Sequence, residues 1–178
     1  MPKTNLYSIS IPPMIKTLQV LSNLLDKAAA HAESKKTAHH EFEMKLLNDS
    51  IIFDQFDLKK QIQTCSDLAK GAAGRLAGIE IPKMADTETT VSELKARLEA
   101  TVTYLKSIKP EDCMDKEEMQ VTLPFIPNMH LHGFEYFTEF VIPNFYFHAA
   151  TAYQIMRKNG VTIGKMDFVG GLPMKPTV

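Results

Sequence analysis

Residues 143–160 read PNFYFHAATAYQIMRKNG, and the stretch just before them, FEYFTEFVI at 134–142, continues the same pattern. At about 100° per residue, Phe134, Phe137, Thr138, Val141, Phe145, Ala152, Ile155 and Met156 share one face, with His148 inside that face and Asn144 at its flank. The spacing predicts a helix over 134–158, stopped by Asn159 and Gly160 and kinked at Pro143, whose ring and missing N–H break the i→i−4 ladder. Tyr136, Phe140, Tyr146 and Phe147 fall on the other side, so the helix is apolar nearly all round, as expected of an element covered on both flanks. One flank belongs to the core. The other cover is expected from the hairpin and tail or from a second subunit, and two-fold homodimers are the commonest oligomers, so a homodimer is expected.

Working outward, three more long helices complete the set. Ile11, Met14, Leu18, Leu21, Leu25 and Ala28 repeat at three and four spacing behind a serine cap expected at Ser10. A second helix is expected over 54–76, carried by Leu58, Ile62, Cys65, Ala69, Ala72 and Leu76 and closed by Gly78 and Pro82. Gly71 and Gly74 inside it imply the close approach of another backbone or of a ligand. A third runs from a capping box, Thr90 with Glu93, through Val91, Leu94, Leu98, Val102, Leu105 and Ile108 to Pro110. The mixed stretch TAHHEFEMKLLNDS allows one or two helical turns. Over 119–131 the period drops to two, and IPN supplies turn chemistry, which predicts a hairpin. The tail VTIGKMDFVGGLPMKPTV is too rich in glycine and proline for a further helix and is expected to lie extended, held by Phe168 and Val169. The expected fold is all-α: one four-helix-bundle domain over 1–178 with a hairpin before the last helix.

Bulk properties narrow the function. The 178 residues carry 20 basic against 21 acidic side chains, with no block of either sign, which argues against nucleic acid and anionic membranes as partners. Cys65 and Cys113 lack CxxC spacing, and the N-terminus has no secretory apolar core, so free thiols in a cytoplasmic protein are expected. No serine elbow, phosphate loop or dinucleotide fingerprint is present. His130 and His132 alternate on the hairpin without a third ligand nearby and read as an exposed strand face.

The polar group that raises a functional question is His148. Buried without a partner it would cost roughly 1–3 kcal/mol, so it requires a hydrogen bond with Asn144, a backbone carbonyl or a water, or else a metal or substrate. The segments CSDLAKGAAGRLAG and PNFYFHAATAYQIMRKNGV, the hairpin and the GKMDFVG tail resemble an uncharacterised family within the DinB/YfiT-like metalloenzyme superfamily. That resemblance implies a four-helix bundle, usually dimeric. It also implies a divalent metal on three histidines, one from the second helix and two at HxxxH spacing on the last, serving thiol transferases or isomerases. In this chain the first position of that pair is Asn144, and the second helix offers Asp67 in place of a histidine. An asparagine oxygen suits calcium or magnesium better than zinc or nickel.

Two readings follow. In the first, the three-histidine site is lost, no cofactor is bound, and the chain is a homodimeric small-ligand-binding or structural module whose pocket is lined by His148, Asn144, Tyr146 and Tyr153. In the second, His148, Asn144 and Asp67 hold one divalent metal ion for a thiol transferase or isomerase acting on a small electrophile. Helical projection places Asp67 with Gln63, Lys70 and Gly74 opposite the apolar stripe, on what is expected to be a solvated face.

Overall fold

The protein is described by a computed structural model covering residues 5–34 and 39–177. Four long helices form the bundle: α1 (Leu6–Glu33), α3 (Leu58–Ala77), α4 (Val91–Ser107) and α6 (Ile142–Lys158). A short α2 (His39–Leu47) lies in the first connection, and a 3₁₀ turn (Pro110–Cys113) follows α4. Strands β1 (Gln120–Leu123) and β2 (Ile126–His132) then lead into a helical turn, α5 (Gly133–Glu135), and the chain ends with α7 (Lys165–Val169). The order around the bundle is α1, α4, α3, α6, with α6 returning to α1.

Local chemistry explains most boundaries and corrects several expected ones. Asn5, not Ser10, caps α1, in a box with Ser8. Ser10 is instead buried and bonds the Leu6 carbonyl. Pro12 and Pro13 therefore sit inside α1 rather than in its first turn, leaving the Ser8 and Ile9 carbonyls without the N–H donors four residues on. Asp57 caps α3 through the Lys60 amide, which starts the helix at Leu58, the first residue of the apolar pattern, rather than at 54, and Gly78 ends it at φ 69°. The Thr90–Glu93 capping box of α4 is present as expected. The hairpin turn falls at 124–125, before the IPN stretch, which belongs to β2. Val121 pairs with Leu131 and Thr122 with His130, but Leu123 pairs with Ile126, so the extra β2 residues form a bulge in which Asn128 takes φ 63°. The tail is not extended throughout. Asp167 accepts from the Gly164 amide and nucleates α7, whose Phe168 ring meets Tyr153 at 5.6 Å between centroids.

The aromatic segment before Pro143 is not plain α-helix. Tyr136–Val141 forms a π-helical stretch between α5 and α6, and the Ile142 amide reaches the Phe137 carbonyl, five residues back. The extra residue per turn rotates this stretch, so that neighbours Tyr136 and Phe137 are both buried while Phe134, expected inward, is half exposed. Pro143 sits at the change back to α spacing, where a missing N–H costs least.

The α3–α6 seam is antiparallel. Cys65 lies against the Phe145 carbonyl (3.7 Å) and Arg75 donates to the Tyr136 hydroxyl (3.4 Å). The α3–α4 pair runs parallel, shown by Ser66 on Thr101 (2.7 Å) and by Gly74 beneath the Tyr104 hydroxyl. A parallel pair requires a connection that travels back along the bundle, and residues 78–90 make that return over the α3–α4 groove. The close approach that Gly74 permits is thus to the protein itself: a Cβ there would lie 2.4 Å from Ile81 and 2.6 Å from Tyr104. Among the described residues, no helix is long and apolar enough to cross a membrane.

Candidate functional site

His148 is buried, at 8% exposure, by the chain itself. Phe56, from the connection between α2 and α3, stacks on its ring at 6.1 Å and 18°, and Phe147 meets it edge-on at 5.2 Å. Its partner is neither Asn144 nor a backbone carbonyl. The Gln61 side chain, one turn into α3, reaches across the seam, with its oxygen 2.6 Å from His148 Nδ1. The other end of the same amide donates to the Phe56 carbonyl (3.0 Å).

This chain of contacts fixes the proton. A backbone carbonyl only accepts, so the Gln61 nitrogen must face Phe56 and its oxygen must face the imidazole. Nδ1 therefore carries hydrogen and donates, and Nε2 is left with a lone pair. Burial pushes the His148 pKa below its ordinary value, so the neutral ring is the folded form. The unfolded chain then binds a proton at higher pH than the native one. Stability from this residue is complete above about pH 6.5 and declines as acid takes the pH down toward the depressed native value.

Asp67 belongs to a different place. Six helical positions separate it from Gln61, about 9 Å along α3 and about 120° around it, so it faces α4 while Gln61 faces α6. Its face is not solvated: Gln63, Lys70 and Gly74 are buried under the 78–90 return and α4. There the buried guanidinium of Arg97 gathers Asp67 (2.8 Å), Asp86 (3.0 Å) and Glu88 (2.9 Å), and also donates to the Ala85 carbonyl (3.1 Å). Lys70 backs Asp67 at 2.8 Å and Lys60 backs Asp86 at 2.6 Å. Hydrogen bonding by Lys60 holds the Asp86 carboxyl below its usual range. Burial pushes Glu88 up, but hydrogen bonds from Arg97 and Gln63 outweigh it and hold that carboxyl down as well. Three carboxylates and three cations thus balance in a staple between the return and both helices.

The remaining candidates separate by helical geometry. Asn144 shares the His148 face but is only half-buried and does not bond the ring. Tyr146 is 200° from His148 by helical count and near in phase to Tyr153, so these two face α1 and α7. Tyr146 lines a cleft of about 210 Å³ against Ile9, Met14, Phe137 and Phe145, and also an adjoining open groove of about 460 Å³ beside Pro12, Lys16 and Phe168. The four expected ligand-binding residues therefore line no single pocket.

The donor set can be tested against a metal. Around His148 stand one imidazole and the amide oxygen of Gln61, with Nδ1 already committed. Cys65 is fully buried and desolvation raises its pKa far above the ordinary thiol value, which keeps it protonated. Among the described residues, no three His, Cys, Asp or Glu side chains are grouped to hold a metal ion. Zinc and nickel prefer imidazole and thiolate donors, so the residues present do not fit such an ion. Gln61 and Arg97 were the side chains missed from sequence. Gln61 had a signal, lying between Leu58 and Cys65 at three and four spacing on the apolar stripe of α3, where a polar residue needs a partner.

Comparisons with known proteins agree with this architecture. A crystal structure of a DinB family member protein from Shewanella denitrificans superimposes with a TM-score of 0.90 at 38% sequence identity, covering 97% of this chain and 96% of that one. No curated protein matches the chain. Residues 6–169 match the family model described as a domain of unknown function, DUF1993. With that span and that neighbour, the chain belongs to the DUF1993 family and has the DinB-like helical fold.

Proposed function

We propose that this protein is a metal-free, homodimeric bundle that acts as a small-ligand-binding module. The observation that carries the metal-free part is the donor set: His148 Nε2 keeps a lone pair, but the amide of Gln61 is held on Nδ1, and among the described residues no three His, Cys, Asp or Glu side chains are grouped to hold a metal ion. The alternative, a metal-dependent thiol transferase or isomerase, needs a second and third strong donor within reach of His148. Asp67, the candidate on α3, is instead held by Arg97 and Lys70.

Support for the dimer comes from the connection between α2 and α3. Asp49 ties it to Lys158 and Asn159 at one end and Phe56 packs on His148 at the other, so it runs along the flank of α6. Ile51, Ile52, Phe53 (94%), Phe56 (50%) and Phe147 (54%) are exposed together there. The three phenylalanines alone present on the order of 400 Å², half of the ~800 Å² that one partner of a standard interface buries. Exposed Asp54 adjoins Phe53 in this connection and, among the described residues, has no ion-pair partner. An exposed apolar patch of this size suits pairing with a second copy about a two-fold axis.

Elemental analysis of untagged protein, joined to light scattering, tests both parts. The expected results are no stoichiometric transition metal and a mass twice the 20.0 kDa chain, reduced to one chain by Phe53→Asp. A near-equimolar metal that disappears in His148→Ala would overturn the metal-free reading, and a monomer at all concentrations would overturn the dimer.

A further inference from the structure

The groove between α1, α6 and α7 is bordered by residues whose backbone carbonyls lose their helical donors. Pro12 and Pro13 lie well inside α1, and because proline has no N–H, the carbonyls of Ser8 and Ile9 lack the donors that a regular helix would supply. These same residues line the space beside Tyr146. Ile9 and Pro13 border the cleft of about 210 Å³, and Ser8, Pro12 and Pro13 border the adjoining groove of about 460 Å³. The walls of the cleft are otherwise apolar, supplied by Met14, Phe137, Val141 and Phe145. Ser10, which also borders it, has its hydroxyl turned onto the Leu6 carbonyl. At the groove stands Lys16, which among the described residues has no ion-pair partner. Its stem is held by the close passage of Gly170, where a Cβ would lie 3.3 Å from the lysine Cε.

Each feature asks for a different part of a ligand. The apolar walls suit a small hydrocarbon or aromatic body, the freed carbonyls suit an N–H or O–H, and the ammonium suits an anion. A cationic donor is disfavoured by the neighbouring lysine, so the donor should be neutral. We infer that this groove binds small organic anions with an apolar body and a neutral N–H or O–H donor, the anion on Lys16 and the donor on the carbonyls that Pro12 and Pro13 set free. This assignment rests on the reading of the chain as a binding module and names its ligand class.

Anilinonaphthalene sulfonate carries all three parts: aromatic rings, one N–H and one sulfonate. In a fluorescence titration the wild-type protein is expected to bind it saturably. Lys16→Gln is expected to weaken binding at least about tenfold, the loss typical of one charge-assisted hydrogen bond. The double variant Pro12→Ala/Pro13→Ala returns two N–H donors to the helix, so it should melt at a higher temperature and yet bind the dye more weakly. Loss of binding through misfolding would show as a lower melting temperature, and Lys16→Gln supplies the independent reading in that case. Phe53→Asp, on the other side of α6, should leave the titration unchanged. Absence of saturable binding, equal affinity in Lys16→Gln and the proline variant, or loss of the signal in Phe53→Asp would each overturn the assignment. A stoichiometric metal on His148 would end the metal-free reading and leave these titrations as expected, so the two failures are distinguishable.

Discussion

Replacing Arg97 with alanine is expected to lower the unfolding free energy by about 3–5 kcal/mol, the cost of removing one partner from a buried ion-paired group. The reason is the environment of its guanidinium. The Arg97 side chain is 2% exposed and gathers Asp67, Asp86 and Glu88, of which Glu88 is itself only 11% exposed. Without the arginine, three carboxylates face two lysines in a covered groove, and the 78–90 return loses its hold at the Ala85 carbonyl. Asp67 and Asp86 are each more than a third exposed, so solvent relieves part of the repulsion and the lower end of that range applies. Arg97→Lys should recover only part of the loss, because one ammonium cannot reproduce the fork that serves four acceptors. Urea denaturation measures both. A loss under about 1 kcal/mol for Arg97→Ala would place the cluster among ordinary surface ion pairs.

Phe145→Ala is expected to cost about 3–5 kcal/mol, while Phe147→Ala, two residues further along the same helix, costs under about 1 kcal/mol within the single chain. Phe145 is 1% exposed at the α3–α6 seam and Phe147 is 54% exposed, so the pair reports directly on which face of α6 meets the core. Phe145 also lines the cleft beside Tyr146, and its removal enlarges that space. Chemical denaturation at low protein concentration separates the packing loss from any effect of Phe147 on association. Equal losses at the two positions would mean that the helix is rotated from the orientation described.

The rotation of α6 was legible because Phe145, His148, Ala152, Ile155 and Met156 repeat at helical spacing and all prove buried. The segment before it was not, because a π-helical stretch at Tyr136–Val141 inserts a residue that a constant 100° step cannot represent. The grouping of Tyr146 and Tyr153 apart from Asn144 and His148 was available from the same projection, since 146 and 148 differ by 200°. It was obscured by treating every polar or aromatic side chain near the imidazole as a neighbour. Gln61 was hidden for a different reason: glutamine is common on solvated helix faces, and only its place on the apolar stripe marked it. Arg97 was beyond reach, because the three carboxylates that bury it lie on α3 and on the return loop, brought together by a parallel α3–α4 pairing that local patterns do not encode. The hairpin was found, but its turn was misplaced, because a bulge at Asn128 mimics turn chemistry inside a strand.

The state of the His148 ring follows from two contacts and is open to direct observation. In protein labelled with ¹⁵N-histidine, two-bond proton–nitrogen correlation spectra across a pH series report which ring nitrogen carries hydrogen and where the residue titrates. The expected spectrum shows a neutral ring protonated at Nδ1, unaltered by a chelator, with a titration midpoint below the ordinary imidazole value. A ring protonated at Nε2 would contradict the assignment of Gln61 as its partner, a spectrum that changes on metal removal would contradict the metal-free reading, and a midpoint above about 6.5 would contradict the neutral buried ring.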